Sequence, residues 1–397
     1  MRSFCGAALA GALLWGGAVS AGEPVRIGEL FSYNAIAAFA LPYRQGWQLA
    51  QEEINAAGGV LDGRPLQIIS RDDGGTTGDA VRVAEDLVSR ENVEFLFGTF
   101  FSNIGLAVAD FANQRRMLFL ATEPLTDALN LEGGNRFTFR IRPSTFMQTS
   151  MLVDEAVELG ATRWAIVAPN YEYGQAAAAA FRRLAAERLP GAEIVVEQFP
   201  TLGQLQAGPT IAAIERARPD AIFNALFGAD LARFVREGAI RGTFEGRHVL
   251  SLLTGEPEYL IPLGDEAPEG WIVTGYPWDQ IDTPEHRAFV EAYMAAYGDT
   301  PRLASLLGYV SVLIIRDMLE EAGSTDTEAM IAALERIAVA TPQGPISFRA
   351  IDNQATAGAW VGRIAVEEGR GRMVDWVYKP GPDHFLPEDE VLAVRQD

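Results

Sequence analysis

Short apolar runs alternate with helix-length amphipathic segments along most of this chain, and the pattern starts twice. Residues 25–28, 66–70, 93–97 and 117–121 read as strands. Their apolar residues are nearly continuous, as expected for strands buried on both faces. Between the first two, Trp47, Ala50, Ile54 and Ala57 share one helical face that ends at Gly58-Gly59. Helices are expected at 79–89 and 104–115. From Arg163 the alternation begins again, with strands at 163–167, 193–196, 221–225, 249–253 and 271–273 and helices at 174–188, 209–218 and 229–236. The remainder reads as helices at 284–296, 304–322 and 327–337, a strand at 346–350, and a hairpin of 360–366 and 373–378 around Glu368-Gly369-Arg370-Gly371. Interleaved strands and helices call for parallel sheets covered on both faces. The fold class is therefore α/β, with two Rossmann-like lobes built on central parallel sheets.

No low-complexity linker separates the halves, so three short crossings are expected, near 142–143, 275–278 and 341–344. That divides the chain into residues 22–142 plus 278–340 as one lobe, 143–277 plus 341–380 as the other, and 381–397 as a C-terminal tail. Residues 1–21 read as a cleaved secretory leader. Arg2 is followed by the apolar run 7–19, and Val19-Ser20-Ala21 supplies small residues for cleavage. The run is short of the ~20 residues that span a bilayer. No later stretch is long and apolar enough to span one, so no membrane insertion of the mature chain is expected.

The single cysteine, Cys5, lies inside that leader, which leaves no disulfide framework, thiol nucleophile or cysteine metal site downstream. Thirty-two basic residues against 53 acidic ones give a formal net charge of −21. Such a surface repels nucleic acid and anionic lipid. Enzyme signatures are missing too. His248, His286 and His384 show no metal-ligand spacing, and no GxSxG elbow, P-loop or GxGxxG follows a strand. Asp72-Asp73 reads as turn and helix-capping residues. The expectation is binding without catalysis, cofactor or metal.

In open α/β sheets, ligands sit beyond the carboxyl ends of the strands, near helix starts. The loops at those ends are rich in aromatic and polar residues: Phe31-Ser32-Tyr33-Asn34, then Thr99-Phe100-Phe101-Ser102-Asn103, then Thr122-Glu123. The second half offers Asn170-Tyr171-Glu172-Tyr173-Gly174, Phe227-Gly228-Ala229-Asp230 and Thr254-Gly255-Glu256. Ser102 either caps the helix it opens or helps that helix start hold a carboxylate. Phe100, Tyr171, Tyr173 and Phe227 would wall an apolar guest. Glu256 either pairs with a ligand cation or stands exposed. The candidate site is Tyr33, Phe100, Phe101, Ser102, Thr122, Glu123, Tyr171, Tyr173, Phe227, Asp230 and Glu256.

Segments 46–73, 95–122, 164–181, 219–242 and 269–277, taken in order, resemble the leucine/isoleucine/valine-binding type of periplasmic solute-binding protein that serves ABC importers. The resemblance implies two lobes joined by three crossings, a ligand between them and permease subunits as partners, with a monomer expected. It further implies a carboxylate held by Ser102 and by Thr122 or Thr126, aromatic walls at Tyr173 and Phe227, and an acid near Glu256 meeting an amino group. Glu123-Pro124 stands where relatives have small residues, and Phe227 where a tyrosine is usual. These departures leave the solute class open between apolar amino acids, aromatic or aliphatic acids, and amides. A receptor signalling through a partner protein is the alternative use of such a fold.

Overall fold

The computed structural model describes residues 22–395, so the leader expected at 1–21 lies outside the described residues. Fourteen strands form two seven-stranded sheets. They are β1 Val25–Phe31, β2 Leu66–Asp72, β3 Phe95–Gly98, β4 Phe119–Ala121, β5 Thr138–Arg140, β6 Arg163–Val167, β7 Glu193–Gln198, β8 Ala221–Asn224, β9 His248–Gly255, β10 Ile272–Gly275, β11 Phe348–Arg349, β12 Gln354–Ala355, β13 Ala359–Glu367 and β14 Arg370–Lys379. Twelve helices flank them: α1 Ala37–Ala56, α2 Thr77–Ser89, α3 Ser102–Arg115, α4 Thr145–Ala156, α5 Glu172–Arg188, α6 Ala207–Ala217, α7 Gly228–Ile240, α8 Pro257–Leu263, α9 Pro284–Tyr297, α10 Leu303–Ala322, α11 Thr327–Leu334 and α12 Glu388–Val394.

The sheet orders are β11-β12-β5-β4-β3-β1-β2 and β14-β13-β10-β9-β8-β6-β7. In each, the strands read from alternating strand–helix sequence pair in parallel. Antiparallel pairing is confined to one edge. The central strands are fully buried, as their continuous apolar sequence requires. The β13–β14 turn has two residues, Glu368 at φ 51° and Gly369 at φ 74°. Two successive left-handed residues give the turn whose twist suits a hairpin.

The chain passes between the sheets at residues 141–144, 276–283 and 356–358. The third passage lies beyond the expected 341–344. Residues 346–355, assigned above to the second lobe, return to the first sheet instead. Gln354 pairs with Arg140 on β5. The Asn353 amide donates to the Thr138 carbonyl at 3.1 Å, and Arg140 Nε donates to the Gln354 side chain at 2.5 Å. These polar anchors have no apolar signature, which is why the strand pattern missed β5 and β12. The C-terminal segment packs on the second lobe, where His384 Nδ1 meets Ser150 Oγ at 2.9 Å and Arg183 holds Glu390 through two bonds of 2.6 and 2.7 Å.

In the first lobe, α1 lies against α10 at backbone distance. A Cβ at Gly46 would fall 1.9 Å from the Ser305 carbonyl oxygen, and one at Gly308 2.2 Å from that of Tyr43. That contact sets α10 beneath the first sheet and its N-terminus against the second lobe. There, Glu258 of α8 accepts hydrogen bonds from the Leu303 and Ala304 N–H groups at 3.3 and 2.8 Å. Carboxylates are favoured at such helix starts.

Candidate ligand-binding site

The ends of β3, β4, β6, β8 and β9 converge on a small cavity between the lobes. Phe100, Ser102, Glu123, Leu125 and Arg142 line it from one side, and Tyr171, Tyr173, Phe227 and Leu253 from the other. The rings interlock across the gap. Phe100 lies 6.2 Å from Phe227, and Phe101 lies 6.1 Å edge-on to Tyr171. Tyr173 and Phe227 meet at 5.8 Å in a T-shaped pair, a geometry favoured by aromatic quadrupoles. The space between the walls is about 20 Å³, room for a water molecule. Uptake of an organic acid therefore requires the walls to part.

Local sequence explains the inward aim of these rings. Phe101, Tyr171 and Phe227 occupy the capping positions of α3, α5 and α7, and none of them supplies a side-chain cap. By contrast, Thr76, Ser144, Thr283 and Asp326 cap α2, α4, α9 and α11 in the usual way. Three helix starts whose residues border the cavity thus lack a side-chain cap, and a helix start carries partial positive charge. The backbone is also held in sparse conformations there: Thr99 at φ 62° precedes Phe100, and the lining residue Leu253 sits at φ 67°.

Ser102 proves not to be a cap. It is the first residue of α3, and its Oγ accepts the Leu125 and Thr126 N–H groups at 3.3 Å each, so it ties two loops of the wall together. Tyr173 is buried, and its hydroxyl has no hydrogen-bond partner.

At the polar end of the cavity stands Arg142, which the candidate site read from sequence lacks, although it includes Glu123 and Glu256. Arg142, which marks the first crossing in the sequence, donates to Glu123 Oε2 at 2.5 Å and to Glu256 Oε1. Glu123 follows β4 and Glu256 follows β9, so one guanidinium joins the two lobes. All three side chains are buried. Burial raises the pKa of both glutamates, against the pull of Arg142. Burial acts the other way on Arg142, yet the two carboxylates hold its pKa above the ordinary value. Arg142 therefore stays charged between two carboxylates that burial pushes toward their neutral forms. A lone arginine between Ile141 and Pro143, at a predicted crossing, was the signal available in the sequence.

Other candidate residues are placed elsewhere. Tyr33 donates to Glu29 Oε2 at 3.0 Å and accepts from Trp47 inside the first lobe. Thr122 is bonded to Tyr43 and Ser311 at 3.3 and 3.2 Å, also within that lobe. Thr126 instead reaches across to Glu172 Oε1 at 2.7 Å. Asp230 accepts the Gly203 and Leu205 N–H groups at 2.7 and 3.0 Å, bracing the loop before α6. Phe101 packs behind Phe100 at 5.2 Å. Glu256 lies behind Arg142, in a second small cavity with Pro143, Gln148 and Trp360. A larger groove of about 720 Å³ runs along α8 and the β13–β14 turn. Its Arg372 is already paired with Asp279 and Glu367, and its aromatic residues, Tyr276 and Trp278, both come from the second crossing.

Among the described residues, no helix is long and apolar enough to cross a membrane, and no cluster of His, Cys, Asp and Glu has the makings of a metal site. Comparison with known proteins agrees with the two-lobed geometry. The Leu/Ile/Val-binding protein homolog 7 of Brucella suis is 25% identical over 348 residues, covering 83% of this chain and 85% of its own. An amino acid ABC transporter substrate-binding protein from Pseudomonas fluorescens superposes with a TM-score of 0.82 at 24% identity, covering 94% of this chain and 99% of its own. A solute-binding protein from Rhodopseudomonas palustris, solved with 3,4-dihydroxybenzoic acid, gives 0.80 at 21%, covering 90% and 98%. The family model for periplasmic binding proteins matches residues 24–370. With a cleft between two α/β lobes and a family match over most of its length, the chain belongs to the periplasmic binding proteins, a family that binds solutes rather than transforms them.

Proposed function

We propose that this protein captures a small, partly apolar carboxylate between its lobes in the periplasm and delivers it to the permease subunits of an ABC importer. The observation that carries the reading is Tyr173. Its hydroxyl is buried without a partner in a cavity walled by aromatic rings from both lobes. Leaving such a group unpaired costs about 1–3 kcal/mol, which a guest oxygen would relieve. Ser102 and the N–H groups at the starts of α3, α5 and α7 suit a carboxylate, and the rings suit an apolar body. The Brucella relative is named for leucine, isoleucine and valine, and the Rhodopseudomonas neighbour holds an aromatic acid. A small carboxylate with an apolar body is common to both. A guest touching both lobes favours the closed arrangement, the form the permease would recognise.

Thermal-shift screening of ligand-stripped protein against amino acids, aromatic acids, aliphatic acids and amides tests this. A guest at 100 times its Kd adds about 2.7 kcal/mol of stability. Tyr173→Phe should weaken the guest about tenfold, the worth of one hydrogen bond, while leaving the unliganded protein at least as stable as before, since it removes an unpaired buried hydroxyl. Unchanged affinity in both Tyr173→Phe and Ser102→Ala would remove this cavity from the account.

A further inference from the structure

We infer that Arg142 is the specificity residue of this cavity, and that by occupying the acid on which a ligand ammonium would sit it selects acids that carry no amino group. This deepens the capture reading above and rests on it. The sequence pointed to Glu256 as the acid for an amino group, but that seat is taken. The Arg142 guanidinium lies against Glu256 Oε1 and spans to Glu123 Oε2 at 2.5 Å. Arg142 lines both the aromatic cavity and the second space behind it, whereas Glu256 lines only the latter. The guanidinium is therefore the partition between a guest and Glu256.

An ammonium entering the aromatic cavity would meet a buried, fixed positive charge. The one carboxylate within reach, Glu123, is already engaged by that charge. The rings of Phe100, Tyr171, Tyr173 and Phe227 attract cations, but a like charge in the same desolvated space opposes them more strongly. An ammonium buried without a counter-ion is heavily penalised. A carboxylate fares differently. Arginine carries five N–H donors, so those not directed at the glutamates remain for an anion. The Tyr173 hydroxyl and the α3 start lie on the same walls. Burial raises both glutamates toward their neutral forms, which lessens the negative charge that a guest anion would face behind the guanidinium.

The test uses matched pairs that differ only in the amine: 3-phenylpropanoate against phenylalanine, and 4-methylpentanoate against leucine. Each is titrated calorimetrically into the ligand-stripped protein. The deaminated member should bind at least about tenfold more tightly, as expected where one partner leaves buried charge unpaired. Arg142→Met uncovers Glu256 and should shift that ratio by about tenfold or more toward the amino acid. The double variant Arg142→Met/Glu256→Gln should lose the shift. If Arg142→Met does not fold, Glu256→Gln alone decides, since a residue screened by Arg142 should leave the ratio unchanged. Wild-type protein that binds an amino acid as tightly as its deaminated twin overturns the inference and leaves the capture reading intact. Failure of both pairs and of benzoate to bind overturns the capture reading, and the inference with it.

Discussion

Glu29 should make this protein lose stability as the solution turns alkaline, and a single isosteric substitution should abolish the effect. The residue sits in β1 with its side chain fully buried; Tyr33 donates to one carboxyl oxygen at 3.0 Å, and the other has no partner. Burial pushes its pKa from 4.5 to about 8, against the nearby Ser70 and Tyr33 hydroxyls and the charge of Arg44, with Asp73 adding to the rise. Between those two values the folded protein holds a proton that the unfolded chain has released. Stability is then fully present below about pH 4.5 and declines by about 1.4 kcal/mol per pH unit until about pH 8, where the charged form is buried. The whole span is worth about 5 kcal/mol. Glu29→Gln keeps the shape of the protonated acid and cannot ionise. Urea unfolding of both proteins from about pH 5 to pH 9 gives the difference directly, and the carboxyls that do not interact with Glu29 titrate in both and cancel. The variant should gain on the wild type steadily with pH and level off near pH 8. A difference that stays constant across the range refutes the argument.

Asp230→Ala should cost about 2–4 kcal/mol in urea unfolding, because it strips the acceptor from the Gly203 and Leu205 N–H groups, and should leave guest affinity unchanged. Weakened binding at undiminished stability would return Asp230 to the site. Gly46→Ala should destabilise by about 3 kcal/mol or more, since its Cβ would lie 1.9 Å from the Ser305 carbonyl oxygen. Gly78→Ala, with nothing within 4 Å of the new Cβ, should be neutral or slightly stabilising. Equal unfolding midpoints for the two variants would refute the α1–α10 close approach.

The strands legible in the sequence were those whose stability comes from burying apolar area. Residues 163–167, with Trp164 and Ile166 packed inside the sheet, could be read from composition alone. Those that escaped are held by polar side chains. Gln354 and Asn353 secure β12 through amide bonds to Arg140 and Thr138, and nothing in a hydrophobic pattern marks such a strand. The loop aromatics were legible for a related reason. A phenylalanine or tyrosine at a helix start gives up a side-chain cap, and at Phe101, Tyr171 and Phe227 that loss coincides with a wall of the cleft.

Polar candidates were harder to place, because the same residue type serves a fold or a guest according to what lies within 3 Å of it. Thr122 and Asp230 stand in loops at the right end of their sheets, yet Tyr43 and Ser311 take the first and two backbone N–H groups take the second. Sequence spacing carries no information about such partners. Arg142 shows the reverse. One residue changes the meaning of Glu256 from a seat for a ligand cation into a counter-ion for the protein's own. The two readings differ by the position of one guanidinium, and they demand guests of different charge. On the proposed reading, ligand class is set by the crossing between the lobes, not by the loops that wall the cleft.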